Sequence, residues 1–480
     1  MIVLKFGGTS VGDAARVREA ATIASAQPTP RVVVVSAAGG VTNLLLDAAR
    51  AAAAGNSPRV VEIVASIRER HHSVAAGIAD EGERAAAVAT LDQLHAALDE
   101  ALAEVVAAGD LSRRLSDRIV ATGEKAMSVL MAATLRDQGT PATHLFADRV
   151  VATDGRFGGA RPDRARTREQ VDAVLRPLLD AGLTVVVTGF IGGSPDGETT
   201  TLGRGGSDYS ATLLGAALDA DEVQIWTDVP GVLSADPRQV TDARVVPQVS
   251  YDEAQELAHF GAKVLHPRTI RPAVARDIPV RILSTFAPDE PGTLVTRQAA
   301  GDQVKAVTAL RGLILLTIDV PELEDLNGAA AKVFGVLHED GVEVALVSQA
   351  SSRRRMTYLI DAVTGGCTRL QARLEDAVGD IEAEVGCTED VATIAAVGAG
   401  AAAQPSGLAR MLEVLARAGV PVLAASQQSS NVALVAAVPS PHAQRAVAAL
   451  HDAFIRPQAA SARGRRPRRS ELLAEPLRVG

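Results

Sequence analysis

The sequence has few aromatic residues, few cysteines and no long apolar segments, and the last two shortages exclude whole classes of protein. Aromatic residues make up 2% of the chain, and Cys367 and Cys387 are its two cysteines. Two cysteines are too few for the disulfide framework of a small secreted domain, so we expect reduced thiols. No apolar run approaches the roughly 18 residues of a membrane-spanning helix, and the start, MIVLKFGG, has no apolar leader segment. These observations predict a cytoplasmic protein with no membrane partner.

An excess of basic residues is also missing. The formal net charge is -9, which argues against nucleic acid as a partner. What the chain has instead is length and apolar content, because it holds 480 residues, of which 47% are hydrophobic. A chain of this size and composition buries a large core and divides into about two to four domains.

Roughly the first 295 residues alternate short β-branched runs with helical patterns. VLKF, RVVVVS, LTVVVTGF, EVQIWT and PVRIL are too apolar to alternate, which predicts strands that are buried on both faces. Helical stretches rich in alanine and leucine separate them. This order predicts an α/β domain in which helices cover both faces of a mostly parallel sheet. Ligands of such sheets bind at the carboxyl ends of the strands.

An internal repeat follows after residue 300. AKVFGVLHEDGVEVALVSQASS (331–352) and ARMLEVLARAGVPVLAASQQSS (409–430) align without gaps and are identical at ten of 22 positions. Apolar runs flank both copies, so each predicts a strand, a helix, two strands, a helix and a last short strand. We therefore divide the chain into a first domain, two α+β modules and a mobile basic tail, with the ranges 1–297, 305–378, 388–455 and 456–480.

Two glycine-rich turns follow the first two predicted strands. KFGGTS (5–10) and SAAGGVTN (36–43) each lie between a strand and a helical pattern. Glycine pairs there let the backbone approach a phosphate, and the next helix offers its free N–H groups. KFGGTS lacks the Walker A pattern, and a plain tight turn is the alternative interpretation.

Further along, charged residues fall at the same kind of position. TGE (122–124) places Glu124 at the start of a helical pattern, either to bind a ligand or to match the helix dipole. In TLGRGGSDYS (201–210), Arg204 can offer a bidentate fork to an anion or be a plain surface charge. Asp208 is either a site residue or a helix N-cap.

Two later runs extend the candidate site. WTDVPGVLSADPR (226–238) leaves a strand through Thr227 and Asp228 and ends in Arg238, a candidate phosphate partner. HFGAKVLHPR (259–268) carries Lys263 on a Gly-Ala corner, and its two histidines lack the acidic partners of a metal site. The sequence thus predicts no metal-ligating residues.

Together these motifs resemble those of the aspartokinases. KFGGTSV, SAAGGVTNLL, TGEKAMS, TDGRFGGARPD, TTTLGRGGSDYSA, IWTDVPGVLSADPR and FGAKVLHPRT occur in the order seen in that family. The resemblance covers residues 1–297, and the repeat resembles the paired ACT regulatory domains that follow there. It implies a three-layer αβα amino-acid-kinase fold with two ACT-type modules. It also implies transfer of the γ-phosphoryl group of ATP, with Mg²⁺, to the β-carboxylate of L-aspartate, the first step of lysine, threonine and methionine biosynthesis.

The resemblance also implies roles for individual residues. Lys5 and Asp208 take the catalytic positions, and Asp208 either orients Lys5 or shares the substrate ammonium group. Arg204 would clamp the α-carboxylate of aspartate, and Glu124 would bind its ammonium group. The other implied contacts are Thr42 and Ser207 to the substrate, and Gly7, Gly8, Ser36, Thr227, Asp228, Arg238 and Lys263 to the nucleotide.

The regulatory half departs from the family pattern in detail. Gln349 and Gln427 resemble the glutamines that face threonine in threonine-sensitive members, which favours threonine over lysine as the effector. The ACT pair also implies a homodimer or a larger homo-oligomer. One alternative is another carboxylate kinase of the same fold, acting on glutamate or acetylglutamate. Another is a catalytically silent amino-acid sensor, against which the joint presence of Lys5, Glu124 and Arg204 argues.

Overall fold

The computed structural model describes residues 1–262, 267–299, 301, 303–321, 325–350, 354–363, 365–399, 401, 406–427 and 431–456. The strands of the first domain are β1 (Ile2–Phe6), β2 (Arg31–Val35), β3 (Ala142–Leu145), β4 (Thr184–Thr188), β5 (Ile191–Gly193), β6 (Thr199–Thr201), β7 (Glu222–Thr227), β8 (Gln248–Ser250), β9 (Val280–Ser284) and β10 (Thr293–Thr296). Its helices are α1 (Ala14–Ala26), α2 (Val41–Ala53), α3 (Ser57–Ala75), α4 (Glu81–Ala108), α5 (Arg113–Asp137), α6 (Arg164–Gln170), α7 (Arg176–Asp180), α8 (Gly206–Leu218), α9 (Tyr251–His259) and α10 (Pro267–Arg276). No helix among the described residues combines the length and apolar character that a bilayer crossing requires.

Within the described residues, eight of these strands form one sheet in the order β3-β4-β2-β1-β7-β9-β10-β8. Neighbouring strands run parallel, except that β9 and β10 are antiparallel. The five strands that the apolar runs predict are β1, β2, β4, β7 and β9. The prediction of a mostly parallel sheet is therefore confirmed.

Successive residues of the central strands enter two different cores. Val3 packs in a cluster that contains Leu214 of α8, whereas Leu4 packs with Leu45 of α2 and Leu130 of α5. Strand side chains alternate between faces, so both faces must be apolar when helices cover both. This two-sided burial explains why the strands show no alternation. Because β1, β2, β3, β4, β7 and β9 run parallel, their carboxyl ends lie at one edge of the sheet.

The regulatory half forms a second, antiparallel sheet. Its strands are β11 (Ala306–Asp319), β12 (Val344–Ala350), β13 (Arg355–Asp361), β14 (Glu384–Val397), β15 (Ala424–Gln427) and β16 (Ala433–Pro439). Its helices are α11 (Leu326–Glu339), α12 (Gly366–Val378), α13 (Gly407–Arg417) and α14 (Ala443–Phe454). The strand order is β12-β13-β11-β14-β16-β15, so both copies of the repeat share one sheet.

The two long central strands of this sheet each serve both modules. Leu316 of β11 packs in the core of the first copy, but Val307 of the same strand packs in the core of the second. The strand changes core at a bulge beside Gly312, whose φ of 77° favours glycine. Helices α12 and α14 occupy the ends of the predicted ranges 305–378 and 388–455, so the last short strand predicted for each copy is not found there among the described residues, and β14 begins only at Glu384. We propose that 306–311 belongs to the second module, although the predicted boundary at 305 assigns it to the first.

The cysteines correct one expectation from the sequence. Cys367 of α12 and Cys387 of β14 are joined by a disulfide, although we expected reduced thiols. The bond ties α12 to the strand beside it. The basic tail predicted for 456–480 lies outside the described residues apart from Arg456, which forms ion pairs with Asp242 and Asp452.

Buried polar contacts join the kinase domain to the second module. Lys305, just before β11, forms an ion pair with Glu253 of α9 at 2.8 Å, and both side chains are buried. The other carboxylate oxygen of Glu253 accepts from the N–H of Ala399. A second contact joins the hydroxyl of Ser234 to Nε2 of His451 in α14 at 2.9 Å. The two halves therefore meet through fixed polar contacts as well as apolar packing.

Candidate active site

The carboxyl ends of β1 and β2 meet in two glycine-rich turns that pack against each other. The N–H of Gly39 donates to the carbonyl of Gly8 at 3.0 Å. A Cβ on Gly8 would lie 2.8 Å from the carbonyl oxygen of Ala37, so this approach requires glycine. The prediction that α1 offers its N-terminus here is wrong, because α1 begins only at Ala14. A single 3₁₀ turn, Gly8–Val11, starts at the glycine pair instead.

The second turn leads directly into α2. Gly40 is its N-cap, with a φ of 83° that favours glycine, and half-buried Thr42 lies in the first turn of the helix. This end of α2 therefore matches the strand–turn–helix arrangement predicted for SAAGGVTN. The free backbone N–H groups of a helix start face the same edge of the sheet as the first turn.

Glu124 lies in the middle of α5, which runs unbroken from Arg113 to Asp137. The alternative that it matches the dipole at a helix start is therefore wrong. Gly123 lets α5 approach the second turn, because a Cβ there would lie 2.7 Å from the Cβ of Ala37. Burial raises the pKa of Glu124 to about 8, against the opposing effect of a hydrogen bond from the backbone N–H of Ala37. Oε2 of Glu124 has no hydrogen-bond partner among the described residues, so it can receive a cationic group.

The loop before α8 brings two charged side chains to the same edge. Gly203 and Gly205 have φ values of 78° and 70°, which glycine adopts without strain. Gly205 is the N-cap of α8, so the alternative in which Asp208 caps the helix is wrong. Asp208 instead forms an ion pair with Lys5, whose Nζ lies 2.6 Å from Oδ1. Arg204 is exposed and forms no ion pair with any described residue.

A cavity of about 650 Å³ opens between these elements. Its wall contains eight of the predicted site residues, namely Lys5, Gly8, Ser36, Thr42, Glu124, Arg204, Ser207 and Asp208. They come from four separate segments of the chain, and the parallel sheet brings those segments together at one edge. The amide of Gly7 donates to the carbonyl of Trp226, which joins the first turn to β7.

Asp117 belongs to the same wall, and sequence reasoning missed it. Its carboxylate accepts hydrogen bonds from the N–H groups of Gly158 and Thr201, both at 2.9 Å, and from the hydroxyl of Thr201 at 2.8 Å. Burial raises the pKa of Asp117, although these hydrogen bonds oppose the rise. Asp117 thereby fastens the loop at Gly158 and strand β6 to α5. No glycine or strand end marks it in the sequence, so no motif could have found it.

Of the residues predicted to bind the nucleotide, Gly8 and Ser36 belong to the wall of the cavity, whereas Thr227, Asp228 and Arg238 do not. Thr227 and Asp228 are at the carboxyl end of β7, the strand next to β1, and the Thr227 hydroxyl donates to Asp228 at 3.2 Å. Arg238 is held by Asp236 at 2.7 Å, and its side chain is 86% exposed. The structure therefore does not bring Arg238 to the cavity, and Lys263 lies outside the described residues.

Two family models and several relatives match this chain. The model described as "Amino acid kinase family" matches residues 1–284, and the one described as "ACT domain" matches residues 394–454. The lysine-sensitive aspartokinase 3 of Escherichia coli (strain K12) is 36% identical over 407 residues, which are 83% of this chain and 87% of that protein. The chain belongs to the aspartokinase family. It is therefore an ATP-dependent aspartate kinase of amino-acid biosynthesis.

Solved aspartokinase structures share the fold. E. coli aspartokinase III in complex with aspartate and ADP (R-state) has a TM-score of 0.80 and 32% identity, and the match covers 94% of this chain and 99% of that one. The same enzyme with lysine and aspartate (T-state) has a TM-score of 0.78 and 32% identity, covering 95% and 99%. The predicted amino-acid-kinase fold with ACT-type modules is thus confirmed. The chain spans about half the length of bifunctional aspartokinase/homoserine dehydrogenases, 50% in the case of Daucus carota, to which it is 31% identical over 94% of its own length.

Proposed function

We propose that the cavity at the carboxyl ends of β1 and β2 binds L-aspartate and the γ-phosphate of ATP, and that 4-phospho-L-aspartate forms there. The observation that carries this proposal is the charge pattern of the wall. It combines the exposed guanidinium of Arg204, the nearly buried ammonium of Lys5 and the buried carboxyl of Glu124. Within the part of the chain that the structure describes, Arg204 forms no ion pair and one oxygen of Glu124 has no hydrogen-bond partner. Free aspartate presents the complementary groups, two carboxylates and one ammonium.

The substrate is oriented by its backbone groups. Arg204 binds the α-carboxylate through two parallel hydrogen bonds, because the guanidinium fork matches a carboxylate. Glu124 accepts the ammonium group at its unpartnered oxygen. Thr42 and Ser207, in the same wall, donate hydroxyl hydrogen bonds to the substrate. The β-carboxylate is thereby left to face Lys5.

Phosphoryl transfer then needs positioning and charge neutralisation rather than a general base, because the attacking carboxylate is already ionised at neutral pH. Lys5 lies against the transferring group, and Asp208 fixes its ammonium in place. The backbone N–H of Gly8 and the hydroxyl of Ser36 contact the phosphates, whereas the N–H of Gly7 is already bonded to the carbonyl of Trp226. We propose that Thr227, Asp228, Arg238 and Lys263 bind the rest of the nucleotide.

The carboxylates of the cavity wall fit Mg²⁺ as a partner of the ATP phosphates. It prefers oxygen ligands, keeps several waters and is usually held by one or two carboxylates together with substrate phosphates. Asp208 is the partly exposed carboxylate of the wall, whereas the raised pKa of Glu124 makes it a poor ligand at neutral pH. Asp208 would therefore hold the ion beside the ATP phosphates, and the ion would neutralise their charge.

The regulatory sheet is proposed to bind an amino-acid effector. Gln349 lies on β12 and Gln427 on β15, both exposed, on the two outer strands of the sheet. Among the described residues these are the outer strands of the sheet, and an outer strand can pair with a second copy, which supports the predicted homodimer. E. coli aspartokinase III is named as a lysine complex in its T-state, while the two glutamines favour threonine here. Rates measured with lysine, threonine or both would decide between them.

A hydroxamate assay tests the reaction, because hydroxylamine traps an acyl phosphate. We expect product with ATP, Mg²⁺ and aspartate, and none when glutamate or N-acetylglutamate replaces aspartate. Arg204→Ala should raise the KM for aspartate by about 30-fold or more, since a charged bidentate contact is worth about 2 kcal/mol or more, and should leave the KM for ATP nearly unchanged. Arg176→Ala, which removes a partly exposed arginine paired with Asp172, is the matched control. Equal rises in both KM values would contradict the role of Arg204.

A further inference from the structure

A cluster of histidines lies between two helices of the kinase domain, and none of its members is in the wall of the active-site cavity. His71 and His72 are neighbours near the end of α3. Asp92 and His95 lie one turn apart on α4, so their side chains project from the same face of that helix. The proposed reaction gives these four side chains no task.

The inner part of the cluster is a buried histidine pair. His71 is fully buried and His95 is 2% exposed, and Nδ1 of His71 lies 2.9 Å from Nε2 of His95. Nδ1 of His95 has no hydrogen-bond partner among the described residues. A buried ring nitrogen without a hydrogen-bond partner lowers the stability of the folded protein, and a ligand bound to that nitrogen would remove this cost.

The outer part of the cluster supplies two more donor atoms next to His95. Nε2 of His72 lies 3.6 Å from Oδ1 of Asp92. One donor atom from each of His72, Asp92 and His95 lies within 4.8 Å of the other two. In a tetrahedral zinc site with bonds of about 2.0 Å, donor atoms are about 3.3 Å apart. His72 and Asp92 are exposed enough to close this difference by rotating their side chains.

We propose that His72, Asp92 and His95 bind one divalent transition-metal ion, with Zn²⁺ as the best match. Two imidazoles and one carboxylate are a common set of three protein ligands for zinc, and water occupies the fourth position. The ion takes the lone pair at Nδ1 of His95, which requires the hydrogen of that ring to be on Nε2. His71 accepts that hydrogen at its own Nδ1, and so acts as the hydrogen-bond partner that orients a metal-bound histidine.

The consequence of such a site is structural. The ion joins α3, which supplies His72, to α4, which supplies Asp92 and His95. Arg70 of α3 donates a hydrogen bond to the carbonyl of Gly39 in the second glycine turn. A metal bridge between the helices therefore stabilises the layer that supports this turn, without contacting substrate.

Metal titration of the full-length chain tests the proposal. After removal of metal with a chelator, calorimetric titration with Zn²⁺ should show one site per chain. Titration with Co²⁺ should give the visible absorption of a four-coordinate, tetrahedral site. The variants His72→Gln and Asp92→Asn should each weaken binding at least tenfold, and zinc should raise the Tm of the unmodified chain more than that of either variant. His95 is left unchanged because a substitution in the buried pair endangers folding.

His338→Gln is the matched control, since His338 is an exposed histidine of α11 outside the cluster. It should bind zinc as the unmodified chain does. Absence of a one-to-one site in the unmodified chain, or equal affinity in His72→Gln and Asp92→Asn, would overturn the proposal. The assay measures no phosphoryl transfer, so its outcome is independent of the proposed role of the active-site cavity.

Discussion

The pH dependence of aspartate binding follows from the burial of Glu124. Its carboxyl has a pKa raised to about 8 by burial, so the ligand-free protein holds a proton there at neutral pH. The proposed partner, the ammonium group of aspartate, binds the ionised form. Binding must therefore displace that proton, and the apparent affinity depends on the fraction of Glu124 that is ionised.

The size of the effect can be worked from that pKa. If only the ionised form binds, the apparent Kd exceeds its high-pH limit about 100-fold at pH 6, about 10-fold at pH 7 and about 2-fold at pH 8. At pH 7, about 0.9 proton leaves per aspartate bound. The effect of this pKa shift on the free energy of unfolding has the opposite sign to that of a carboxylate whose pKa is lowered by folding. Because the folded state keeps a proton that the unfolded chain loses above the ordinary glutamate pKa of 4.5, the free energy of unfolding falls as the pH rises from 4.5 to about 8.

Isothermal titration calorimetry measures both quantities. Aspartate is titrated without ATP at several pH values, and at pH 7 in two buffers with different ionisation enthalpies, so that proton release appears as a buffer-dependent heat. Glu124→Gln keeps the shape of the side chain and removes the charge. In this variant the pH dependence should vanish, and binding at pH 8 should be about 30-fold weaker, which corresponds to a charged hydrogen bond of about 2 kcal/mol. The affinity for ATP serves as the internal control.

Two results would refute the reasoning about Glu124. Aspartate binding that is independent of pH between 6 and 8, with no proton release, would show that the carboxyl is either already ionised or not in contact with the ammonium group. Binding that weakens as the pH rises would show that the protonated carboxyl donates to a substrate carboxylate instead.

Three further substitutions test contacts elsewhere. Lys305→Met leaves the carboxylate of Glu253 buried without its ion pair, and should lower the free energy of unfolding by about 3 to 5 kcal/mol in denaturant titrations. Adding Glu253→Gln removes the unpaired charge, so the double variant should recover much of that free energy. Ser234→Ala removes the hydrogen bond to His451 and should raise the KM for ATP more than the KM for aspartate in initial-rate kinetics, because Ser234 lies in the segment between Asp228 and Arg238. Lys5→Ala should lower kcat at least 100-fold at saturating substrate, since its charge acts mainly on the transferring group, and near-normal turnover would remove it from the mechanism.

The parts of the fold that the sequence predicted are those that local pattern determines. The run RVVVVS became β2 with every strand position buried, because a strand with helices on both faces needs no polar residue. The glycine turns after β1 and β2 were also found, since a backbone approach such as that of Gly8 to Ala37 excludes any side chain. Strand order then brought Lys5 and Asp208 together, which are 203 positions apart but form one ion pair.

What the sequence could not show depends on packing between distant segments. TGE looks like a helix start, yet Arg113–Asp137 is one helix whose middle turn approaches a glycine turn. His71 and His95 come from different helices, so no spacing rule joins them. The disulfide between Cys367 and Cys387 depends on α12 lying beside β14. The sharing of β11 by both modules likewise depends on a bulge, which a repeat alignment does not reveal.

The polar contacts between the kinase domain and the second module determine which part of the site a regulatory change reaches first. The segment that carries Asp228 and Arg238 continues through Ser234, which is bound to His451 of α14, and ends near Arg244, which donates to the carbonyl of Ile455. The proposed nucleotide side of the site is thus fastened to the second module, whereas Arg204 and Glu124 lie on elements without such a contact among the described residues. A shift of that module therefore acts first on the nucleotide side, and a regulatory ligand should change the affinity for ATP more than the affinity for aspartate.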